Sequence, residues 1–193
     1  MVNKNQINAH AFILIGGKSS RFGSPKWKTR IAGQTILDKL WNLCYDFSHK
    51  TIIGKQKEAE IDKPMIIDHF NFDAPINGLY TALKKTDSDW NLLLSCDLPL
   101  LTSSIIRKLW AALEPENNVI IPHTINGLEP TCAFYHRNLL KKCESMILEG
   151  EFSLQKLIDS AAYLEVDFGD QSKLFTNMNT VTDLELIKKI SKS

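Results

Sequence analysis

The sequence lacks the features that mark secreted and membrane proteins. It contains only four cysteines among 193 residues, and no two of them form a C-x-x-C pair, so we expect small buried thiols rather than disulfides or a zinc site. No apolar run approaches the ~20 residues that a membrane-spanning helix needs. The first ten residues are polar, which argues against a signal peptide. These absences predict a soluble, reduced, cytoplasmic protein.

The sequence also has almost no net charge. Its 23 Lys and Arg residues against 22 Asp and Glu residues give a formal charge of +1 at pH 7, so no overall field attracts nucleic acid or an anionic membrane. No basic stripe or aromatic platform indicates nucleic-acid binding either. Any binding of phosphate must therefore be local. With 44% hydrophobic residues, the chain can bury the core of one α/β domain spanning residues 1–193.

What the sequence does contain is an alternation of short apolar runs with amphipathic stretches. The apolar runs, which predict buried strands, are Ala11–Ile15, Thr51–Ile53, Met65–Ile67, Leu92–Leu94 and Val119–Ile121. The stretches with helical spacing lie within residues 35–47, 105–113 and 139–147, the last of them closed by Gly150, and another helix carries Leu79 and Leu83. The alternation predicts a Rossmann-like α/β fold, with a mostly parallel sheet and helices on both faces.

Two local features complete the predicted outline. The last helix is expected to begin at Thr182, with Glu185 three residues later in a capping-box pattern. The segment from Pro122 to Pro130 contains Asn126-Gly127, and this turn signal predicts a surface excursion.

The first candidate site is the glycine-rich segment Gly16–Lys26, which follows the first predicted strand. Glycines allow backbone N–H groups to approach a phosphate, and Arg21 and Lys26 add positive charge. The segment is not a P-loop, because the first glycine of that motif would fall at Phe12, and G-x-G-x-x-G is absent. From the spacing alone, a flexible basic surface turn remains the alternative.

Two aspartates also follow apolar runs. Asp68 follows the run Met65–Ile67, and Asp97 follows the run Leu92–Leu94. Magnesium prefers one or two carboxylates together with substrate phosphates, so Asp97 is a candidate metal ligand. A capping or solvent-facing aspartate is the alternative. The amides of Asn177 and Asn179 suit recognition of a polar ligand, although both would serve equally well as turn residues.

Together these motifs resemble the molybdenum cofactor guanylyltransferase family over nearly the whole chain. The signature L-x-G-G-x-S-x-R-x-G-x-x-K is matched by Leu14, Gly16, Gly17, Ser19, Arg21, Gly23 and Lys26. The other matching segments are Cys96-Asp97-Leu98-Pro99, Asp68 ahead of Ala74–Leu79, Glu129-Pro130 with Ala133 and Tyr135, and Asn177, Asn179, Thr180, Asp183 and Leu184. The departures from the family pattern are Phe22, Ala74, the pair Trp27-Lys28, and the Gly54 region, where a family asparagine has no counterpart.

The resemblance implies an enzyme whose partners are GTP and molybdopterin, with Mg²⁺ as cofactor and no role for nucleic acid or membrane. It further implies partner proteins, which would be either other proteins of cofactor biosynthesis or the enzymes that receive the finished cofactor. It assigns catalysis to Arg21, Lys26 and Asp97, with Asp97 also holding the metal. It places Leu14, Ile15, Gly16, Gly17, Lys26, Asp68 and Asp97 at GTP, and Asn177 and Asn179 at the acceptor.

The family resemblance also indicates the base. Guanylyl-transferring relatives carry L-x-G-G and cytidylyl-transferring relatives carry L-x-A-G, so Gly16 favours guanine. The alternatives are a molybdopterin cytidylyltransferase, a sugar-nucleotide transferase with the same signature, and a GTP-binding regulatory module without turnover.

Overall fold

The computed structural model of the protein describes residues 6–16 and 25–191. Its strands are β1 (Ile7–Leu14), β2 (Arg30–Ile31), β3 (Gln34–Thr35), β4 (Phe47–Gly54), β5 (Met65–Ile67), β6 (Trp90–Ser95), β7 (Val119–Thr124), β8 (Gly127–Leu128), β9 (Cys132–His136) and β10 (Tyr163–Asp167). Its α-helices are α1 (Ile36–Leu43), α2 (Pro75–Lys85), α3 (Ser103–Ala111), α4 (Leu140–Leu148), α5 (Leu154–Asp159) and α6 (Val181–Ile190). Short 3₁₀ helices span Lys26–Lys28, Arg137–Leu139 and Gly169–Phe175.

Eight strands form the main sheet, in the order β10-β7-β9-β6-β1-β4-β5, with β8 paired to β7. β1 lies parallel to β4 and β6, β4 lies parallel to β5, and β7 lies parallel to β10. β9 runs antiparallel between β6 and β7. The predicted α/β fold with a mostly parallel sheet is therefore confirmed, with β9 as an antiparallel strand inside the sheet.

Helices cover both faces of the sheet, as predicted. One apolar cluster joins the sheet to α1, α3 and α6 through residues such as Leu40, Leu109 and Ile187. A second cluster joins the other face to α2, α4 and α5 through residues such as Leu83 and Ile147. This coverage leaves the two ends of the strands, rather than the faces, available for ligands.

The boundaries of β1 and α1 differ from the predicted ones. β1 begins at Ile7, ahead of the apolar run, because its first residues alternate between the core and solvent with Ile7 and Ala9 buried. α1 ends at Leu43, and Phe47 instead begins β4. A period-two pattern of only a few residues is a weak signal, so the sequence predicts only the apolar run as a strand.

The predicted surface excursion at 122–130 is wrong in its first half. β7 continues through Pro122 to Thr124, and a turn then leads into β8, where Gly127 has a φ of 105°. Proline lacks the N–H that a strand normally donates, but here its carbonyl accepts a bond from Glu129 at 3.1 Å. The segment is therefore a short hairpin on the main sheet.

The start of α6 also differs from the prediction. The capping box is formed by Thr180 and Asp183, so α6 begins at Val181 rather than at Thr182. Asp183 Oδ2 accepts hydrogen bonds from the backbone N–H groups of Asn179 and Thr180, at 2.9 and 2.8 Å. Two overlapping Thr-x-x-acid patterns exist in this segment, and the structure uses the first of them.

The four cysteines are free and buried, which confirms the expectation of small interior thiols. Within residues 6–16 and 25–191, no helix combines the length and the apolar character that crossing a membrane requires.

Candidate active site

A cleft of about 420 Å³ opens at the carboxyl ends of β1, β4, β5 and β6. In open α/β sheets this edge is where ligands bind. Four of the predicted site residues, Leu14, Gly16, Asp68 and Asp97, line the cleft. The predicted residues Gly17 and Arg21, together with the rest of the signature loop up to position 24, lie outside the described residues.

Lys26 and Asp97 form an ion pair at one side of this cleft. The Lys26 Nζ atom lies 2.7 Å from Asp97 Oδ1 and 2.8 Å from Asn179 Oδ1, although these partners are 71 and 153 residues away in sequence. The Lys26 side chain is only 16% exposed, and the adjacent Trp27 is buried in the core and anchors the 3₁₀ helix that carries both residues. The structure therefore brings together three residues that the sequence predicted separately.

The segment preceding α6 is attached directly to the turn that follows β6. The Met178 N–H donates to the backbone carbonyl of Asp97 at 2.8 Å, and the Met178 side chain is fully buried. Asn177 and Asn179 flank this anchor and are both exposed. Asn179 points its amide oxygen at Lys26, so at least one of the two predicted acceptor residues contacts the predicted nucleotide site.

The chemistry of this cluster suits a hard divalent cation. Among the described residues, no three Asp, Glu, His or Cys side chains converge into a complete metal cage. Mg²⁺ does not require one, because it is usually bound by one or two carboxylates plus substrate phosphates and waters. The Asp97 side chain is 38% exposed at the cleft, which leaves room for a cation beside its carboxylate. The residues present therefore fit the magnesium that the sequence motif implies.

A second charged cluster lies on the other side of Gly16, at the ends of β4 and β5. Asp68 Oδ2 lies 3.1 Å from Lys55 Nζ, and Lys55 Nζ lies 3.4 Å from Asp73 Oδ1. Burial raises the pKa of the Asp68 carboxyl, and the ion pair with Lys55 opposes this rise. Asp68 Oδ1 is buried, and no described residue forms a hydrogen bond with it.

Lys55 is a cleft residue that the motif analysis missed. It directly follows Gly54. In that region this chain has no counterpart to a family asparagine, so the family pattern predicts no role there. The signal that could have found it is its position just after an apolar strand, the kind of position that identified Asp68 and Asp97.

The end of β1 is packed closely between its neighbours. The Leu14 carbonyl accepts a bond from Cys96 N–H at 3.1 Å, and Ile15 N–H donates to the Ile53 carbonyl at 2.9 Å. A Cβ added at Gly78 would lie 2.6 Å from Leu14 Cδ2, so a glycine in α2 is needed for this approach. A Cβ at Gly16 would meet only ordinary contacts, at 3.7 Å or more. Gly16 is therefore not required by the packing of the protein itself.

Comparisons with known proteins agree with this geometry. Residues 11–166 match the family described as MobA-like NTP transferase domain. A probable molybdenum cofactor guanylyltransferase of Aquifex aeolicus is 31% identical over 183 residues, covering 93% of this chain and 90% of the relative. The molybdenum cofactor guanylyltransferase of Vibrio cholerae is 25% identical over 177 residues, covering 89% and 87% of the two chains.

A solved structure supports the fold. The molybdopterin-guanine dinucleotide biosynthesis protein A of Archaeoglobus fulgidus superposes with a TM-score of 0.79 at 18% identity, covering 95% of this chain and 98% of the other. At that identity the likeness concerns the fold alone. The family match and the sequence relatives, taken with the cleft and its charged residues, establish that this chain belongs to the MobA-like NTP transferase family and is a nucleotidyltransferase.

Proposed function

We propose that this enzyme transfers GMP from GTP to the terminal phosphate of molybdopterin, releasing pyrophosphate. The observation that carries the proposal is the cluster in which Lys26 Nζ is held between Asp97 and Asn179, beside a cleft that continues to Asp68. One end of the cleft thus offers charge for a triphosphate, and the other offers polar groups for a nucleoside. The names of the sequence relatives supply the acceptor.

In this proposal the protein positions charges and needs no general base. A phosphate monoester is already anionic near neutral pH, so the acceptor phosphate can attack the α-phosphorus without losing a proton to a side chain. Lys26, together with Arg21 of the signature loop, would hold the β- and γ-phosphates and neutralise the charge that develops on the leaving pyrophosphate. Asp97 would hold Mg²⁺, which when bound supplies Lewis-acid stabilisation of the phosphate oxygens.

The base would lie against the end of β1. Leu14 and Gly16 line the cleft together with Asp68, and in this proposal the backbone of Leu14, Ile15, Gly16 and Gly17 would contact the base. Guanine is larger than cytosine and carries N–H donors at N1 and N2 that need acceptors. A residue without a side chain at position 16 leaves room for this approach.

The test of the proposal is a competition between GTP and CTP, read as pyrophosphate release with molybdopterin present. Wild type should prefer GTP at least about tenfold, which corresponds to about 1.4 kcal/mol. The Gly16→Ala variant should lose part of that preference, because the methyl group would occupy space that guanine needs. The variant should fold normally, since the added Cβ meets only contacts of 3.7 Å or more.

Several outcomes would redirect the assignment. Equal use of CTP and GTP by the wild type would overturn the guanylyl assignment and favour a cytidylyltransferase. Turnover with a sugar phosphate instead of molybdopterin would indicate a sugar-nucleotide transferase. GTP binding without magnesium-dependent pyrophosphate release would indicate a regulatory module. The cytoplasmic location expected from the sequence stays a prediction.

We also propose that the segment carrying Asn177 and Asn179 binds the acceptor, with different roles for the two amides. Asn177→Ala should raise the KM for molybdopterin and leave the KM for GTP unchanged. Asn179→Ala should raise the KM for both substrates, because Asn179 Oδ1 accepts a hydrogen bond from Lys26 Nζ at 2.8 Å. Separate titrations of the two substrates measure this difference. Identical KM profiles for the two variants would contradict it.

A further inference from the structure

The Lys55 ammonium lies against the wall of the cleft, where it donates to one backbone carbonyl and pairs with two carboxylates. An ammonium carries three N–H donors, and three acceptors surround this one. They are Asp68 Oδ2 at 3.1 Å, Asp73 Oδ1 at 3.4 Å and the Phe72 backbone carbonyl. The methylenes of the side chain lie 3.7–3.8 Å from the position of a Cβ on Gly16. Lys55 thus connects the end of β4 with the residues after β5, next to the end of β1.

The Asp68 carboxylate depends on this lysine for its charge balance. Among the residues that the structure describes, the charged groups facing it are Lys55 from the end of β4 and Asp73 from the segment before α2, while Gly16 faces it without charge. The Asp68 side chain is only 9% exposed, and its other oxygen is buried with no hydrogen-bond partner among the described parts of the chain. An ionised carboxylate in such a place is costly unless an opposite charge accompanies it. The second carboxylate, Asp73, adds repulsion rather than support.

We propose that Lys55 is a positioning residue of the nucleotide site, which keeps the Asp68 carboxylate ionised and fixed at the cleft so that it accepts hydrogen bonds from the nucleoside. The inference rests on the proposed function in taking a nucleoside triphosphate as the ligand and Asp68 as one of its contacts. Lys55 itself acts through Asp68, since its ammonium is already held by two carboxylates and a backbone carbonyl of the protein.

The consequence of removing the lysine follows from the surroundings of Asp68. Burial raises the pKa of this carboxyl, while the hydrogen bond and charge of Lys55 lower it. Without Lys55 only burial and the Asp73 charge act on this carboxyl, and both raise its pKa. A larger fraction of Asp68 should therefore be protonated in the variant than in wild type at the lower end of the pH range, and the carboxyl should become ionised again as the pH rises. A protonated carboxyl offers fewer acceptor sites to the nucleoside, so binding should weaken at low pH and recover at high pH.

The experiment measures the nucleotide dissociation constant of wild type and Lys55→Met by calorimetry, without the acceptor. The probe is whichever of GTP, CTP, ATP and UTP the wild type binds most tightly. The Kd ratio of variant to wild type, measured near pH 6.5 and near pH 8.5, should be roughly tenfold or more at the lower pH and smaller at the higher pH. The triphosphate itself titrates in this pH range and changes the Kd of both proteins equally, so its effect cancels in the ratio.

Matched variants separate this role from general effects of removing a lysine. Lys63 also lies between two carboxylates, Asp38 at 3.0 Å and Asp62 at 3.1 Å, but outside the cleft, so Lys63→Met should leave the ratio at one. Lys55→Arg should keep wild-type binding across the pH range. Adding Asp73→Asn to Lys55→Met should weaken the pH dependence, because Asp73 raises the pKa of Asp68. Lys55→Gln provides a second neutral variant if the methionine variant unfolds.

Two results would overturn the proposal. A loss of binding that is the same at both pH values would show that Lys55 acts through packing or direct contact. Unchanged binding would show that Asp68 does not need the lysine. Failure of the proposed function would look different, because wild type would then bind a nucleotide but release no pyrophosphate with GTP and molybdopterin.

Discussion

Replacing Asp97 with asparagine should lower the rate of pyrophosphate release by at least ~10²-fold, as the loss of other charge-stabilising groups does in enzymes. The substitution keeps the shape of the side chain and an acceptor oxygen for Lys26, which now donates to Asp97 Oδ1 at 2.7 Å. It removes the negative charge that would bind the metal. We therefore expect an intact fold with very low turnover, measured at saturating GTP and magnesium.

The control for this variant lies at the other end of the same strand. Asp89 is exposed just before β6, whereas Asp97 follows its carboxyl end, so Asp89→Asn makes the same chemical change away from the cleft. It should retain wild-type turnover, and both variants should melt close to the wild-type temperature. Near-normal activity of Asp97→Asn at saturating magnesium would exclude this residue as the metal ligand.

The two aspartates of the cleft were predictable from sequence for a physical reason. β6 is an apolar run buried in the sheet and β5 is a short apolar run at its edge, and a polar residue just after such a run marks the end of the strand. Parallel strands that begin on one side of the sheet also end on one side. The sequence therefore predicts that Asp68 and Asp97 lie at the same edge of the sheet.

Lys55 could not be assigned a role in the same way. Its partners Asp68 and Asp73 follow 13 and 18 residues later in the sequence, and no local pattern connects them. They meet because β4 and β5 pair in a register that sets Gly54 opposite Ile67. A charge pair that depends on strand register is visible only once the strands are paired.

β9 shows a different limit of sequence reasoning. Its residues Cys132–His136 are mostly buried between β6 and β7, yet the segment was noted only for its match to the family motif. A run of five mostly apolar residues does not indicate whether a strand pairs parallel or antiparallel with its neighbours. The alternation of strands with helices favours a parallel arrangement. The hairpin-like return of the chain after β8 determines the direction of β9.

Replacing Lys26 with methionine should reduce kcat/KM for GTP by roughly 10- to 100-fold, since a hydrogen bond to a charged group is worth about 1.5–3 kcal/mol. Both kcat and KM should change, because the ammonium would contact the bound triphosphate and also the charge that grows on the leaving pyrophosphate. Methionine preserves most of the length of the side chain, which is 16% exposed in the protein. Steady-state kinetics at fixed molybdopterin measure both constants.

Lys28→Met is the matched control for this last variant, because Lys28 lies on the same 3₁₀ helix but pairs with Glu60 at 2.6 Å. It should leave the GTP kinetics unchanged. The double variant Lys26→Met with Asp97→Asn should lose less than the sum of the two single losses in activation free energy, since each residue is the ionic partner of the other. GTP kinetics of Lys26→Met equal to those of wild type would show that the lysine serves only the ion pair with Asp97.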